Sequence, residues 1–158
     1  MSQSSAQILV ASLEKKTRIL DEIIRENEVQ ERILKQEQLD LEALDESSDR
    51  MGALADKLNL LDEGFESVYD RIREELHTNK NAYRGEIARM QQLIAEITDK
   101  VVRINAARMR NNLQAEQQFK KSRQQIGQVS SKMKASRSYY NNMNKLNYVA
   151  PQFYDDKK

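Results

Sequence analysis

Apolar side chains recur at helical spacing along a chain that has no proline before Pro151. Proline breaks the interior of a helix, so its absence over this length permits long helices. Residues seven apart lie on one face of a helix, and two such rows run side by side here. The rows are Leu13, Leu20, Asn27, Leu34 and Leu41, and Leu9, Ile23, Leu44, Met51 and Leu58. This pattern predicts long helices packed along their lengths.

The predicted fold is all-α: an elongated antiparallel helical bundle or coiled coil of about three long helices, with a mobile C-terminal segment. Asp40 and Asp62 are suitable N-cap residues and mark two helix starts. A polar run at 77–81 marks a further joint, and Gly127 is a weak point late in the chain. The predicted helices span about 6–36, 40–61, 63–77 and 80–134, and residues 135–158 form an amphipathic, aromatic-rich tail.

The composition suits narrow apolar seams with solvated outer faces. The 158 residues fit one domain, with 39% hydrophobic and 32% charged residues and a net charge of +1. The charge is unevenly distributed, because 13 Lys and Arg stand against only Glu116, Asp155 and Asp156 from Lys100 onward. A basic late helix beside acidic early helices explains this distribution, and a polyanion-binding surface is the alternative.

Polar residues interrupt the apolar rows at two places. Asn27 and Gln30 do so in the first helix, and Arg108 and Asn111 do so in the last. Polar residues in a seam can set the register of the helices at some cost in stability. We expect Asn27 or Gln30 to lie near Arg108 or Asn111 as a shared polar layer; the alternative is a seam that turns to solvent.

The residues needed for catalysis or metal binding are not assembled in any familiar motif. His77 is the only histidine and there is no cysteine, so a zinc site and thiolate chemistry are not expected. There is no glycine-rich phosphate loop and no strand on which to mount a nucleophile. Acidic pairs such as Glu74 and Glu75 read as a solvated helix face. We therefore expect no enzymatic activity and no cofactor.

The C-terminal tail concentrates aromatic residues. Five of the nine Tyr and Phe residues lie between Tyr139 and Tyr154, and such side chains are enriched at protein interfaces. An amphipathic face at i, i+4 and i+7 predicts either a partner-binding surface that is loosely held in the free protein or a lid. The alternative is a tail that completes the bundle. The candidate partner-binding residues are Tyr139, Tyr140, Met143, Leu146, Tyr148 and Phe153.

Several segments along the chain stand in a distinctive order. They are 13–16, 19–20, 23–24 and 26–27 with Gln30, the Asp-Leu-Glu-Ala-Leu run at 40–44, 61–65, 92–94 with 97–98, and 139–140 with Met143. Their order and spacing together resemble flagellar type III export chaperones of the FlgN group, in the versions found in clostridial-type bacteria. The resemblance covers nearly the whole chain.

The resemblance implies a small all-helical cytoplasmic protein without enzymatic activity. Members of that family bind hook–filament junction proteins, prevent their premature assembly and deliver them to the export gate. The C-terminal part is associated with client capture, and an exposed tyrosine with the gate. Tyr139, Tyr140, Tyr148 and Tyr154 are all candidates for that tyrosine. The neighbouring group of chaperones for the filament cap protein is similarly built.

Two other functions remain open at the level of sequence. The first is a structural coiled-coil protein that self-associates through the same seams, and the second is a nucleic-acid binder that uses the basic residues after Val101. The second is the less favoured, because Lys and Arg are interleaved with Gln, Asn and Ser. The N-terminal segment lacks the features of a secretory signal, and no stretch is apolar enough to span a membrane, so a cytoplasmic location is expected.

Overall fold

The computed structural model describes residues 2–122 and 129–146 of the chain. Within these ranges all long segments are helical and there is no strand, so the predicted all-α class is confirmed. The helices are α1 (Ser2–Leu34), α2 (Leu41–Thr78), α3 (Arg84–Ser122) and α4 (Val129–Asn144), with a 3-10 turn at Lys80–Tyr83. None of these described helices has the length and apolarity of a membrane-spanning segment.

The helix ends are fixed by hydrogen bonds to otherwise unpaired backbone groups. The Asp40 carboxylate accepts a hydrogen bond from the backbone N–H of Ala43 at 3.1 Å, so the predicted N-cap of α2 is confirmed. At the end of α1, the Gln118 side chain of α3 donates to the carbonyl oxygens of Leu34 and Gln36, at 2.9 and 2.7 Å. Helix α1 ends at Leu34, close to the predicted end at about residue 36, and these two bonds hold its C-terminal end against α3.

Ion pairs between helices give their relative directions. Residue numbers fall along α2 as they rise along α1, so these helices are antiparallel, whereas α3 runs parallel to α1. The pairs to α2 are Lys16–Asp62 at 2.7 Å and Glu26–Arg50 at 2.8 Å, and those to α3 are Glu14–Arg89 at 3.1 Å and Asp21–Lys100 at 2.5 Å.

The short helix α4 packs between the N-terminal half of α2 and the C-terminal half of α3. Lys145 pairs with Asp56 of α2 at 3.2 Å, and the Tyr139 hydroxyl donates to Asn112 Oδ1 of α3 at 3.1 Å. Four helices therefore surround the core at one end of the described bundle, and three surround it at the other end.

The core residues of α2 are more fully buried at the four-helix end than at the three-helix end. At the four-helix end the apolar core residues of α2, Leu44, Met51 and Ala55, are 0% exposed. At the three-helix end, α2 contributes Phe65, Tyr69, Ile72 and Leu76, which are 6%, 8%, 7% and 6% exposed. The ring planes of Phe65 and Tyr69 lie 11° apart with centroids at 6.1 Å, so aromatic stacking contributes to the packing there.

The predicted break near residue 62 is wrong, because α2 continues through it to Thr78. The buried row of α2 passes from Leu58 through Asp62 to Phe65 at spacings of four and three, so the helical period is not interrupted. Asp62 Oδ1 accepts a hydrogen bond from Lys16 of α1, and the carboxylate does not cap the backbone of a new helix.

The predicted single helix at 80–134 is also wrong, because α3 ends at Ser122 and α4 begins at Val129. Helix α4 packs back on α3 instead of extending it, because Tyr139 bonds to Asn112 and Tyr140 lies against Phe119. The predicted boundary between a bundle at 1–134 and a tail at 135–158 falls inside α4, which spans Val129–Asn144. The last residues of the chain, 147–158, lie outside the described ranges.

Candidate partner-binding site

One face of α4 is buried against the rest of the bundle. Ala135, Tyr139, Met143 and the following Leu146 are 1%, 0%, 2% and 0% exposed. Their spacing of four, four and three places them on one side of the helix. In the structure this face is packed on the bundle as far as Leu146, as expected of a lid or of a tail that completes the bundle, and the mobility of the segment stays a prediction. An amphipathic helix with such a row gains free energy by covering it, at roughly 1.5–3 kcal/mol for a large side chain.

Tyr139 anchors the buried face of α4. Its hydroxyl donates to Asn112 Oδ1, which satisfies the one polar atom of the side chain. Its ring meets that of Tyr140 edge-on, with centroids 5.1 Å apart. Burial raises the pKa of the Tyr139 hydroxyl well above its ordinary value, and the neighbouring Tyr140 raises it further. Tyr139 is therefore a neutral hydrogen-bond donor at physiological pH.

Tyr140 lies at the edge of this contact and is half-buried. Its ring centroid is 6.3 Å from that of Phe119 on α3, at an interplanar angle of 59°. Burial raises the pKa of Tyr140, and the carboxylate of Glu116 adds to the increase. Of the two adjacent tyrosines, one is thus enclosed and the other remains partly accessible.

Small residues lie among the buried positions of α2. Ser47, Ser48 and Gly52 are all buried. A Cβ placed on Gly52 would come within 2.8 Å of Asn142 Cγ, so the Asn142 side chain of α4 occupies the space beside this glycine. The Ser47 hydroxyl donates to the Glu26 carboxylate of α1 at 2.6 Å, and Arg50 donates to the same carboxylate at 2.8 and 3.2 Å.

A polar layer lies in the middle of the seam between α1 and α3. Asn111 Nδ2 donates to the Asn27 carbonyl oxygen at 3.0 Å, so the structure brings together two of the four residues predicted to form this layer. Gln30 is 0% exposed, and its side-chain amide, like that of Asn27, makes no hydrogen bond to another described residue. Arg108 of α3 is half-buried. Unpaired buried amides reduce stability, so this layer is a costly way to build a core.

The remaining predicted residues do not join this site. Tyr148 and Phe153 lie outside the described residues. His77 is exposed in the last turn of α2, where a helix end favours a positive charge. Within residues 2–122 and 129–146 there is no group of three or more metal-ligating side chains.

A second apolar row on α3 was not predicted from the sequence. Val102, Met109 and Leu113 are 63%, 67% and 62% exposed, although they are large apolar residues. Their spacing of seven and four was visible in the sequence, but the stronger row through Ile97 and Ile104 concealed it. The buried Lys16–Asp62 pair was not predicted either, since charged residues are rarely buried.

The chain has no match among protein family models, curated proteins or solved structures. What it does must therefore be inferred from its own residues and their arrangement.

Proposed function

We propose that this chain is a cytoplasmic flagellar export chaperone without enzymatic activity. It would bind an amphipathic helix of a hook–filament junction protein, prevent premature assembly and deliver that client to the type III export gate. The resemblance of its segments to the FlgN group supplies the class of client. The observation that carries the proposal is α4, a short amphipathic helix held in a cleft between α2 and α3.

The contact between α4 and the rest of the bundle has features of one that another helix could replace. From Ala135 onward it presents a single buried row, whereas Lys134, Arg137 and Asn141 on its other side are exposed. Polar contacts accompany this row, because Asn142 lies beside Gly52 of α2 and Lys145 pairs with the exposed Asp56. A client helix that supplies an equivalent row would replace this contact without exposing the core. Helix-in-groove binding of this kind is a common mode of peptide recognition.

A double substitution on the buried face tests the proposal. Tyr139→Ala with Met143→Ala weakens the hold of α4, and thermal melting is measured together with binding of a peptide from the C-terminal helix of a junction protein. Raised affinity supports α4 as a lid over the client site, and lowered affinity with unchanged melting supports α4 as a contact surface. A large fall in melting temperature with unchanged client affinity would mean that α4 is only part of the core.

Met133→Ala provides a matched control. Met133 lies on the same helix but is 56% exposed, so its truncation removes a methionine without removing a buried contact. We expect it to change neither melting nor client affinity. The class of client is tested separately by mass spectrometry of proteins that co-purify from the native cytoplasm. Recovery of a junction protein at one-to-one ratio would support the proposal, and its consistent absence would contradict it.

A further inference from the structure

The outer face of α3 carries an apolar row that faces away from the core. Val102, Ala106, Met109 and Leu113 recur at spacings of four, three and four, and all four are exposed. We call this row the outer α3 stripe. The buried row of the same helix, with Ile97, Ile104 and Ala115, lies on the opposite side. Helix α3 therefore has two apolar faces, and only one of them is covered by the described residues.

The outer α3 stripe is organised, in contrast to the other exposed apolar residues. Leu60 on α2 is 71% exposed, but the residues three, four and seven positions away from it include no large apolar side chain. The stripe spans 12 residues, and its 11 steps of 1.5 Å give a length of about 16 Å. A row of this length and spacing matches the seam that one helix offers to another. Contiguous exposed apolar surface of this kind marks interaction sites.

The surroundings of the stripe are basic. Between residues 99 and 121, α3 carries six Lys and Arg and two acidic residues, Asp99 and Glu116. Arg103 and Arg110 stand one heptad apart beside the stripe, and neither forms an ion pair with another described residue. Lys120 follows Leu113 by seven residues, so a cation also stands at the C-terminal end of the stripe.

The wall opposite Arg103 and Arg110 belongs to α1. The two arginines line a shallow groove together with Glu28 and Glu31 of that helix. Glu31 is hydrogen-bonded to Lys35 at 2.7 Å, and this bond contributes most to lowering the pKa of its carboxyl group, with a smaller electrostatic contribution from Arg110. The arginines thus retain capacity for carboxylates supplied from outside the chain.

We propose that the outer α3 stripe docks an acidic amphipathic helix of a partner protein. The partner's apolar row would cover Val102, Met109 and Leu113, and its carboxylates would lie over Arg103 and Arg110. This surface is separate from the cleft that holds α4, and the inference does not rest on the proposed function.

The charge of this surface favours an acidic helix over two other occupants, a second copy of this chain and nucleic acid. An antiparallel two-fold pair of α3 helices would bring the Arg103 and Arg110 edge of one copy against the same edge of the next, which repels. Nucleic acid would neutralise the arginines but would leave the apolar row in water. A helix with acidic flanks satisfies both the apolar and the charged parts of the surface.

A designed peptide is the probe. It is a fluorescein-labelled amphipathic helix of about three heptads with Leu at the seam positions and Glu at the flanks, and its twin has Lys in place of Glu. We expect the full-length chain to bind the Glu peptide with at least about tenfold higher affinity than the Lys peptide, because its flanks meet basic side chains. The affinity should fall as salt concentration rises.

Substitutions locate the bound peptide. Met109→Glu with Leu113→Glu should weaken binding of the Glu peptide by at least about tenfold, because it removes two central apolar contacts and adds like charge. Leu60→Glu is the matched control, since it places the same charge on an exposed leucine outside the stripe. It should leave binding unchanged. Arg103→Glu with Arg110→Glu should reverse the preference in favour of the Lys peptide.

Four outcomes would overturn the inference. Equal binding of the Glu peptide to the wild type and to the Met109→Glu, Leu113→Glu variant would place the peptide elsewhere, and no measurable binding to either would deny the site. A wild-type dimer in sedimentation that becomes a monomer in this variant would assign the stripe to a second copy. Binding of duplex DNA that both the stripe and the arginine variants abolish would assign it to nucleic acid. Circular dichroism melting verifies that each variant is folded.

Discussion

Lys16 and Asp62 form an ion pair inside the bundle, and its energetics differ from those of the surface pairs. The side chains are 2% and 18% exposed, and the ammonium lies 2.7 Å from Asp62 Oδ1. Burial lowers the pKa of Lys16 and raises the pKa of Asp62, in each case against the attraction of the partner. Loss of hydration is therefore the largest effect on both groups, and each charge is tolerated because the other is present.

Lys16→Met should destabilise the protein by roughly 3–5 kcal/mol, because it leaves the Asp62 carboxylate buried without its cation. Lys16→Met with Asp62→Leu should recover most of that loss, since apolar side chains avoid the cost of desolvating two charges. Urea unfolding of the two variants measures the free energies. Arg89→Met, which breaks a pair whose side chains are each 40% exposed, should cost under about 1 kcal/mol. A double variant no more stable than Lys16→Met would contradict this account.

Asn27 differs from this ion pair, because its polar side chain is buried without a hydrogen-bond partner among the described residues. Its side-chain amide makes no hydrogen bond to a described residue, and Asn111 bonds to its backbone carbonyl instead. Asn27→Leu keeps that bond and removes the unpaired amide, so we expect unfolding to require about 1–3 kcal/mol more. Urea unfolding provides the measurement. Asn111→Leu, which removes the donor, should stabilise less, and a loss of stability in Asn27→Leu would refute the argument.

Among the elements, the helices with uninterrupted apolar rows were predictable from the sequence. The separation of α4 from α3 was not. The rows of Leu13, Leu20 and Leu34 fix the buried face of α1 because burial of apolar side chains dominates folding. Asp62 looked like a helix start because a capping residue and a buried ion-pair partner have the same sequence signature. The division between α3 and α4 had no proline to announce it, and only Gly127 indicated a weak point.

The candidate site was predictable in its residues but not in their environment. The spacing of Tyr139, Met143 and Leu146 indicates an apolar face whether it is covered by the chain itself or by a partner. What covers it in the structure is a cleft near Gly52, and the close approach that glycine permits is a tertiary contact with no local signature. The outer α3 stripe is an apolar helical row that the described residues leave exposed. Its spacing could not predict this exposure, because the spacing of a row does not show whether the row is buried.

Ionisation of Tyr139 should loosen α4 at alkaline pH. Its pKa in the folded protein is raised by burial, so the folded state holds the phenolic proton more tightly than the unfolded chain does. The stabilisation from this group is complete below the ordinary tyrosine pKa of about 10 and is lost as pH rises from there through the higher folded value. Unfolding free energies measured between about pH 8 and 11 should therefore fall more steeply for the wild type than for Tyr139→Phe.

Tyr139→Phe should also destabilise the protein at neutral pH. This loss is measured separately from the change in pH dependence. The substitution removes the hydrogen bond to Asn112, so we expect a loss of about 0.5–1.5 kcal/mol near pH 7. Tyr140→Phe is the matched control, because Tyr140 is only half-buried and should account for less of the pH dependence. Parallel curves for the wild type and Tyr139→Phe would show that the buried phenol does not couple to folding.

At the scale of the whole molecule, α4 makes the two ends of the bundle unequal. It covers the part of α2 that includes Gly52 and Asp56, whereas the core residues from Phe65 to Leu76 retain partial exposure. Residues with fewer buried contacts open at lower free energy than those in a closed core. The stability of α2 should therefore vary along its length, although it is one continuous helix.

Amide hydrogen exchange of the full chain tests this difference. We expect slower exchange in α2 between Leu44 and Leu58 than between Phe65 and Leu76, because α4 closes the core only over the first stretch. Gly52→Leu should reverse the order, since a side chain at this position meets Asn142 and forces α4 outward. Gly64→Leu is the control, because a Cβ there meets nothing within 4 Å. Unchanged protection in Gly52→Leu would mean that the three long helices close this end of the core without α4.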